Sequence, residues 1–202
     1  KLTLFVLFAI IGNLLNAQGV SKYSNEFLSI GVGARSLGMG TATLSSTNDI
    51  SATYWNPASL VSLDKQFEIG AMHSEYFAGI SKYDYVGLGY KINDASAIAL
   101  SMVRFGVDDI PNTLDIIDAD GNINYDNISS FSIADYAFMV SYSHTLPVKG
   151  LSLGGNAKII YRNVGEFAHA VGFGLDLAAK YEYRNWHFGL VLRDGLGNFK
   201  AW

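Results

Sequence analysis

The chain reads as an all-β protein: a transmembrane antiparallel β-barrel led by a short helical and irregular segment. Three observations predict this class. The first is the run SIADYAFMVSYSHTL at 132–146. Side chains on a strand alternate faces, so Ala134, Tyr136, Phe138, Val140 and Tyr142 share one face. Asp135, Ala137, Met139, Ser141, Ser143 and Thr145 share the other. Soluble strands usually stop at about five or six residues. A strand that crosses a membrane needs about 9–11, apolar toward lipid and polar toward a lumen. The second observation is that neighbouring stretches repeat the pattern, with connections of alternating length. The third is an export-like start.

Residues 1–17 read as a signal peptide. Lys1 precedes the apolar run LTLFVLFAII, and NLLNAQ follows, with cleavage placed after Ala17. The run is too short for a transmembrane helix. No cysteine follows to carry a lipoprotein anchor, and with no Cys in the chain there are no disulfides or thiolate metal sites.

Residues 18–66 lack long alternation and read as short helices and turns. GVGARSLGMG (31–40) is rich in small residues, and Asn56-Pro57 carries a cap and a first-helical-turn proline. This segment is expected to be a plug inside the barrel. Strands follow near 67–74, 83–92, 95–105, 132–146, 150–163, 169–184 and 186–193. Short turns join the fourth to the fifth at 147–149 and the sixth to the seventh at 184–185. A long acidic loop, about 106–131, separates the third from the fourth. Short turns at one end and a long loop at the other is the outer-membrane arrangement, which puts this loop outside the cell. The aromatics Tyr83, Tyr85, Tyr161, Tyr181, Tyr183 and Trp186 lie near strand ends and are expected in interfacial girdles. An eighth strand is expected from Phe199. Seven or eight strands leave an open edge, so residues 67–202 are expected to be the N-terminal half of a larger barrel.

Composition agrees. Charged residues are 16%, against roughly 25% in soluble domains. The net charge of −4 offers no electrostatic footprint for nucleic acid. Candidate chemistry is sparse. Gly31-Val32-Gly33-Ala34-Arg35-Ser36 has Ser36 where a dinucleotide loop needs its third glycine, so small-residue packing is the better reading. Asp118-Ala119-Asp120-Gly121 fails the calcium-loop pattern, with Ile116 and Asn127 at its outer ligand positions, and reads as a turn. His73, His144, His169 and His187 lack metal-binding spacing. No catalytic residues, metal or cofactor are assigned. The polar candidates for the lumen are Asp135, Lys158, Arg162, Asp176, Lys180 and Glu182. Cross-strand pairing and contact with a bound segment both suit them.

The stretches QGVSKYSNEFLSIGVGARSLGMG (18–40), NDISATYWNPASL (48–60), FGVDDIPNT (105–113) and the SIADYAF strand resemble the PorV/PorQ family of Bacteroidetes outer-membrane proteins, related to FadL-type barrels. The YWNPA run belongs to the FadL-like group at large. The resemblance implies a full-length barrel of about fourteen strands, within the known range. Tyr54, Trp55, Asn56, Pro57 and Ala58 would then form the plug motif at its periplasmic end. It also implies a non-enzymatic role in type IX secretion, in the bacterial outer membrane. Partners would be membrane lipid and translocon or attachment-complex proteins or secreted cargo. A FadL-like transporter of hydrophobic small molecules is the alternative.

Overall fold

The computed structural model describes residues 25–114, 116–117 and 121–194, and the backbone of 199–201. The signal-peptide stretch 1–17 and the Asp118–Asp120 turn lie outside the described residues. The chain divides into two compact units, 1–30 and 31–202. In the first, a 3₁₀ turn covers Glu26–Ser29, closed by Ser29 Oγ donating to the Glu26 carbonyl at 2.6 Å.

The second unit is all-β apart from short helical turns. Its strands are β1 (Phe67–Tyr76), β2 (Ser81–Asn93), β3 (Ser96–Asn112), β4 (Ser129–Thr145), β5 (Leu151–Val164), β6 (Ala168–Tyr183) and β7 (Trp186–Leu192). They pair in sequence order, each antiparallel to the next, as a curled half-barrel. No helix among the described residues is long and apolar enough to cross a membrane.

The alternation read at 132–146 holds on β4 to β7. Phe138, Val140 and Tyr142 face outward and are exposed, while Ala137, Met139, Ser141 and Ser143 are buried. An outward row runs Ala71–Val86–Met102–Phe138–Ile159–Phe173 across six strands and is apolar throughout. The distance from this row to the turns at one end grows across the sheet. It is six or seven residues on β2 to β4, eight on β5 and ten on β6. At about 3.3 Å per residue and about 4.8 Å between strands, that growth is a slant of about 30°. Barrel strands that cross a membrane tilt by about 35–45°.

Three expectations change. The loop 106–131 is shorter than the sequence suggests, because β3 runs on to Asn112 and β4 starts at Ser129. Val107 pairs with Ile133 and Ile110 with Phe131, so one extra residue is bulged on β3, where Asp109 adopts φ +56°. A bulge of this kind bends a strand without ending it, and the loop proper is 113–128. The long-loop end is also only partly long, since its other two turns, 77–80 and 165–167, are short. Finally, residues Phe199–Ala201 (β8) pair with β6 on the side β7 occupies, after a register shift of three residues. They resume the seventh strand's pairing and do not form an eighth strand.

Candidate functional site

The inward face of the sheet is occupied by residues 31–66 of the same unit. Helix α1 (Ala34–Gly38) follows Gly31 and Gly33, both at positive φ. An added Cβ on Gly31 would stand 3.1 Å from the Trp55 ring, so Gly31 serves packing. Helix α2 (Ala52–Trp55) is a single turn. Asn56 ends it in extended conformation, and Pro57 opens the 3₁₀ turn Pro57–Ser62. Asn56 Oδ1 accepts from the Ala58 amide at 3.1 Å, the capping geometry that Asn-Pro favours. Its Nδ2 donates to the Leu44 carbonyl at 2.9 Å and lies 3.4 Å from the Ala179 carbonyl on β6. One side chain therefore ties three segments together, and it is fully buried. Asn56→Ala is expected to cost about 1–3 kcal/mol, since it removes the cap and orphans the part-buried Leu44 carbonyl. Urea unfolding of the full-length protein in detergent measures this.

The wall is carved to receive this segment. The Pro57–Ser62 turn touches β2 through β6. Many inward positions of the wall are small: Ala97, Ala99, Ser101, Ala137, Ser141, Ser143 and Gly154. Ile50 seats over Gly70, Gly87 and Gly89, whose added Cβ atoms would fall within 2.8 Å of it. Ile50, Ala52, Leu60 and Leu63 form one apolar cluster with Ala97 and Ala99.

Tyr83 and Tyr85, expected in the outer girdle, face inward and are buried. Tyr85 Oη donates to the Ile50 carbonyl and meets Thr53 Oγ1, each at 2.8 Å. The residues 31–66 supply a protein core inside the sheet, so aromatics on either face of a strand can be satisfied. Tyr161, Tyr181, Tyr183 and Trp186 do face outward, where Tyr181, Phe188 and Trp186 stack in series.

The motif Tyr54–Ala58 lies wholly in this packed region. Tyr54 and Trp55 meet edge to face at 4.9 Å, and Trp55 Nε1 donates to the Val32 carbonyl at 2.8 Å. Burial pushes the Tyr54 phenol up from its ordinary pKa, against the opposing pull of Arg193. The Arg193 guanidinium sits over both rings, 5.2 Å from Tyr54 and 5.8 Å from Trp55.

The six polar candidates fall into three pairs. Asp135 and Arg162 face each other across β4 and β5 in a bidentate pair, both contacts 2.6 Å. Lys158 lies 2.7 Å from Asp176 and 2.7 Å from Asp194, and both Lys158 and Asp176 are buried. Asn156 Nδ2 bridges Asp176 Oδ2, at 3.2 Å, to the Thr53 carbonyl, at 2.7 Å. Lys180 lies 2.8 Å from Glu182 and donates to Ser62 Oγ at 3.0 Å. Glu182 is at the half-exposed end of its strand, while Lys180 is buried. Lys180 thus touches residues 53–62 directly, and the Lys158–Asp176 pair reaches them through Asn156.

Arg193, Asp194, Asn156, Gly154 and Gly189 were not marked by the sequence pattern. The signal for the glycines was present: Gly154 and Gly189 occupy inward positions where a lumen-facing strand tolerates any small polar residue, yet has none. Among the described residues no His, Asp and Glu cluster suits a metal ion.

A family model for the type IX secretion system protein PorV matches residues 16–191. No curated protein and no solved structure matches the chain. The match runs through both the packed segment and the wall that holds it, and the chain belongs to the PorV family of type IX secretion system proteins.

Proposed function

We propose that this chain supplies the N-terminal half of a plugged outer-membrane barrel of FadL-like build, about fourteen strands in all. Residues 18–66 serve as the plug, with Tyr54–Ala58 as its keystone. The role is non-catalytic: the full-length protein holds translocon or attachment-complex proteins, or secreted cargo, for type IX secretion. The observation that carries this reading is the filled inward face. The Pro57–Ser62 turn against five strands and the buried Lys158–Asp176 group leave the inner side of the wall committed to the plug. Loops on a rigid scaffold are then the natural binding surface.

The β3–β4 arm suits that task. It runs past the tips of its neighbours, because β2 stops pairing at Ser81, opposite Val107, and β5 at Val164, opposite Ile133. Its loop exposes Leu114, Ile123 and Tyr125. Replacing residues 114–127 with a short Gly-rich turn should cut co-purification of secretion partners or cargo from outer membranes at least tenfold, with the barrel still heat-modifiable on gels. If every partner stays bound, and cells lacking the protein instead lose uptake of a hydrophobic solute, the transporter reading replaces this one.

A further inference from the structure

The outward face of β4 to β7 carries two furrows in a wall otherwise ridged with long side chains. The first has Gly155 and Ala157 of β5 as its floor. Val140 and Tyr142 of β4 wall one side and Leu175 and Leu177 of β6 the other, around about 580 Å³. The second has Ala179 of β6 as its floor, between Leu153 of β5 and Leu190 and Leu192 of β7, around about 360 Å³. Leu153 and Leu177 border both. The furrows therefore run side by side, with floors on neighbouring strands about 4.8 Å apart. The first extends from Leu153 to Ala157, about 13 Å of strand. Two such furrows have the form of two acyl chains lying together.

Basic side chains stand at one end of both furrows. Leu153 is four residues from Lys149, and Ala179 is five from Arg184. The turns that carry these cations are held side by side. The Glu182 N–H donates to the Gly150 carbonyl at 2.8 Å, and an added Cβ on Gly150, at φ +82°, would run into the Glu182 carbonyl. Lys149 and Arg184 thus share one rim, and both are exposed. Among the described residues neither meets a carboxylate. Glu182 is taken up by Lys180 at 2.8 Å and lies 3.5 Å from His187. Asp94 belongs to the next hairpin, between β2 and β3. The Arg184 guanidinium sits 5.3 Å from the centre of the Tyr183 ring, and Tyr183, Tyr181, Phe188 and Trp186 stack in series beside it. Aromatic rings grouped at strand ends mark the headgroup level of a bilayer.

We propose that this face binds one anionic, two-chain glycerophospholipid, with its phosphate at Lys149 and Arg184 and one chain in each furrow. Charge complementarity selects that occupant. Two cations without a carboxylate call for an anionic headgroup, whereas a zwitterionic one brings its own ammonium to the same rim. Arg grips phosphate oxygens through parallel N–H bonds, and Lys adds a point charge. Their apolar stems can lie along the wall while the charged ends reach the headgroup. The furrows select two chains, because Leu177 stands between them. A flat wall touches a chain on one side; a furrow touches it on three, and dispersion contacts add up. On the barrel reading the short turns lie on the periplasmic side, where the leaflet is built of phospholipid.

The site rests on the barrel reading above, and the test separates the two. The full-length protein is purified from its outer membrane and exchanged into mixed micelles holding equal amounts of palmitoyl-oleoyl phosphatidylglycerol and phosphatidylcholine. Native mass spectrometry then reads the lipid it keeps. The unaltered protein should keep one phosphatidylglycerol in about tenfold excess or more over phosphatidylcholine, as two basic groups at a membrane surface favour an anionic headgroup. Raising the salt should shrink that excess. K149Q/R184Q should lose it, and K149R/R184K should keep it. A157L/A179L fills both floors with side chains that suit a lipid-facing wall, and should lose about tenfold or more of the bound phosphatidylglycerol. Each variant should migrate as a folded, heat-modifiable band; where one does not, the headgroup preference of the unaltered protein and its salt dependence decide. Equal retention of the two lipids, an excess that salt or K149Q/R184Q leaves unchanged, or full retention by A157L/A179L overturns the site and leaves the barrel standing. Absence from the outer-membrane fraction, or no heat-modifiable form of the unaltered protein, overturns the barrel reading and the lipid site with it.

Discussion

Gly154→Val should leave the Pro57–Ser62 turn unable to seat. A Cβ on Gly154 would stand 2.5 Å from the Ala58 nitrogen and 2.6 Å from the Pro57 carbonyl carbon. Both obstacles are backbone, held by the Asn56 cap and by contact with five strands, so neither can turn aside as a side chain would. Overpacking of this kind costs about 1–3 kcal/mol and occasionally more. A β-branched side chain against backbone belongs at or above the upper figure. Gly38→Ala is the matched reference: it lies in helix α1, and an added Cβ there meets nothing within 4 Å. It should be neutral, or stabilise by about 0.5–1 kcal/mol through helix propensity. Urea unfolding in detergent compares the two, and limited proteolysis reads whether residues 44–63 have come free. Equal stability for both variants, with equal protection of 44–63, would mean that the turn does not rest on β5.

The wall was legible because its rule is simple. Period-two alternation survives wherever one side of a sheet meets water or packed small residues and the other meets an apolar phase, and β4 to β7 follow it over most of their length, with Ile160 and Val191 as apolar residues on the inner face. Tyr83 and Tyr85 were misread for a reason that the same rule contains. On β2 the alternation is aromatic against Lys82 and Asp84, and it cannot say which face is the inner one. A filled lumen takes the aromatics and leaves the charges outside. The β3–β4 boundary was missed because Asp108-Asp109 looks like a loop start, while the bulge at Asp109 lets the pairing resume at Ile110. The Tyr54–Ala58 motif could be located as a turn from Asn56-Pro57, but its partners Ala179 and Arg193 lie about 120 and 140 positions away, and Asn156, about 100 away, holds the neighbouring Thr53. Such contacts follow from the curl of the sheet, which no local pattern encodes.

Lys158→Met should be the most damaging single change among the polar residues. Lys158 is the cation between Asp176 and Asp194, at 2.7 Å from each. Removing it leaves the Asp176 carboxylate buried, with, among the described residues, the Asn156 amide at 3.2 Å and the Asp194 backbone N–H at 2.9 Å. Breaking a buried pair from one side costs about 3–5 kcal/mol, because an uncompensated charge remains. The effect should reach the inner segment: Asn156 also holds the Thr53 carbonyl, and Arg193, next to Asp194, covers Tyr54 and Trp55. Lys158→Met with Asp176→Leu removes both buried charges and should recover most of the loss, as apolar replacements of buried pairs often do. The coupling in that double-mutant cycle should be about 0.5–3 kcal/mol in favour of the pair variant. A single variant that loses less than about 1 kcal/mol, the value of an exposed pair, would mean that water reaches Asp176 from the lumen. The inner segment would then be loosely seated, and a path through the barrel, which the transporter reading requires, would be open beside it.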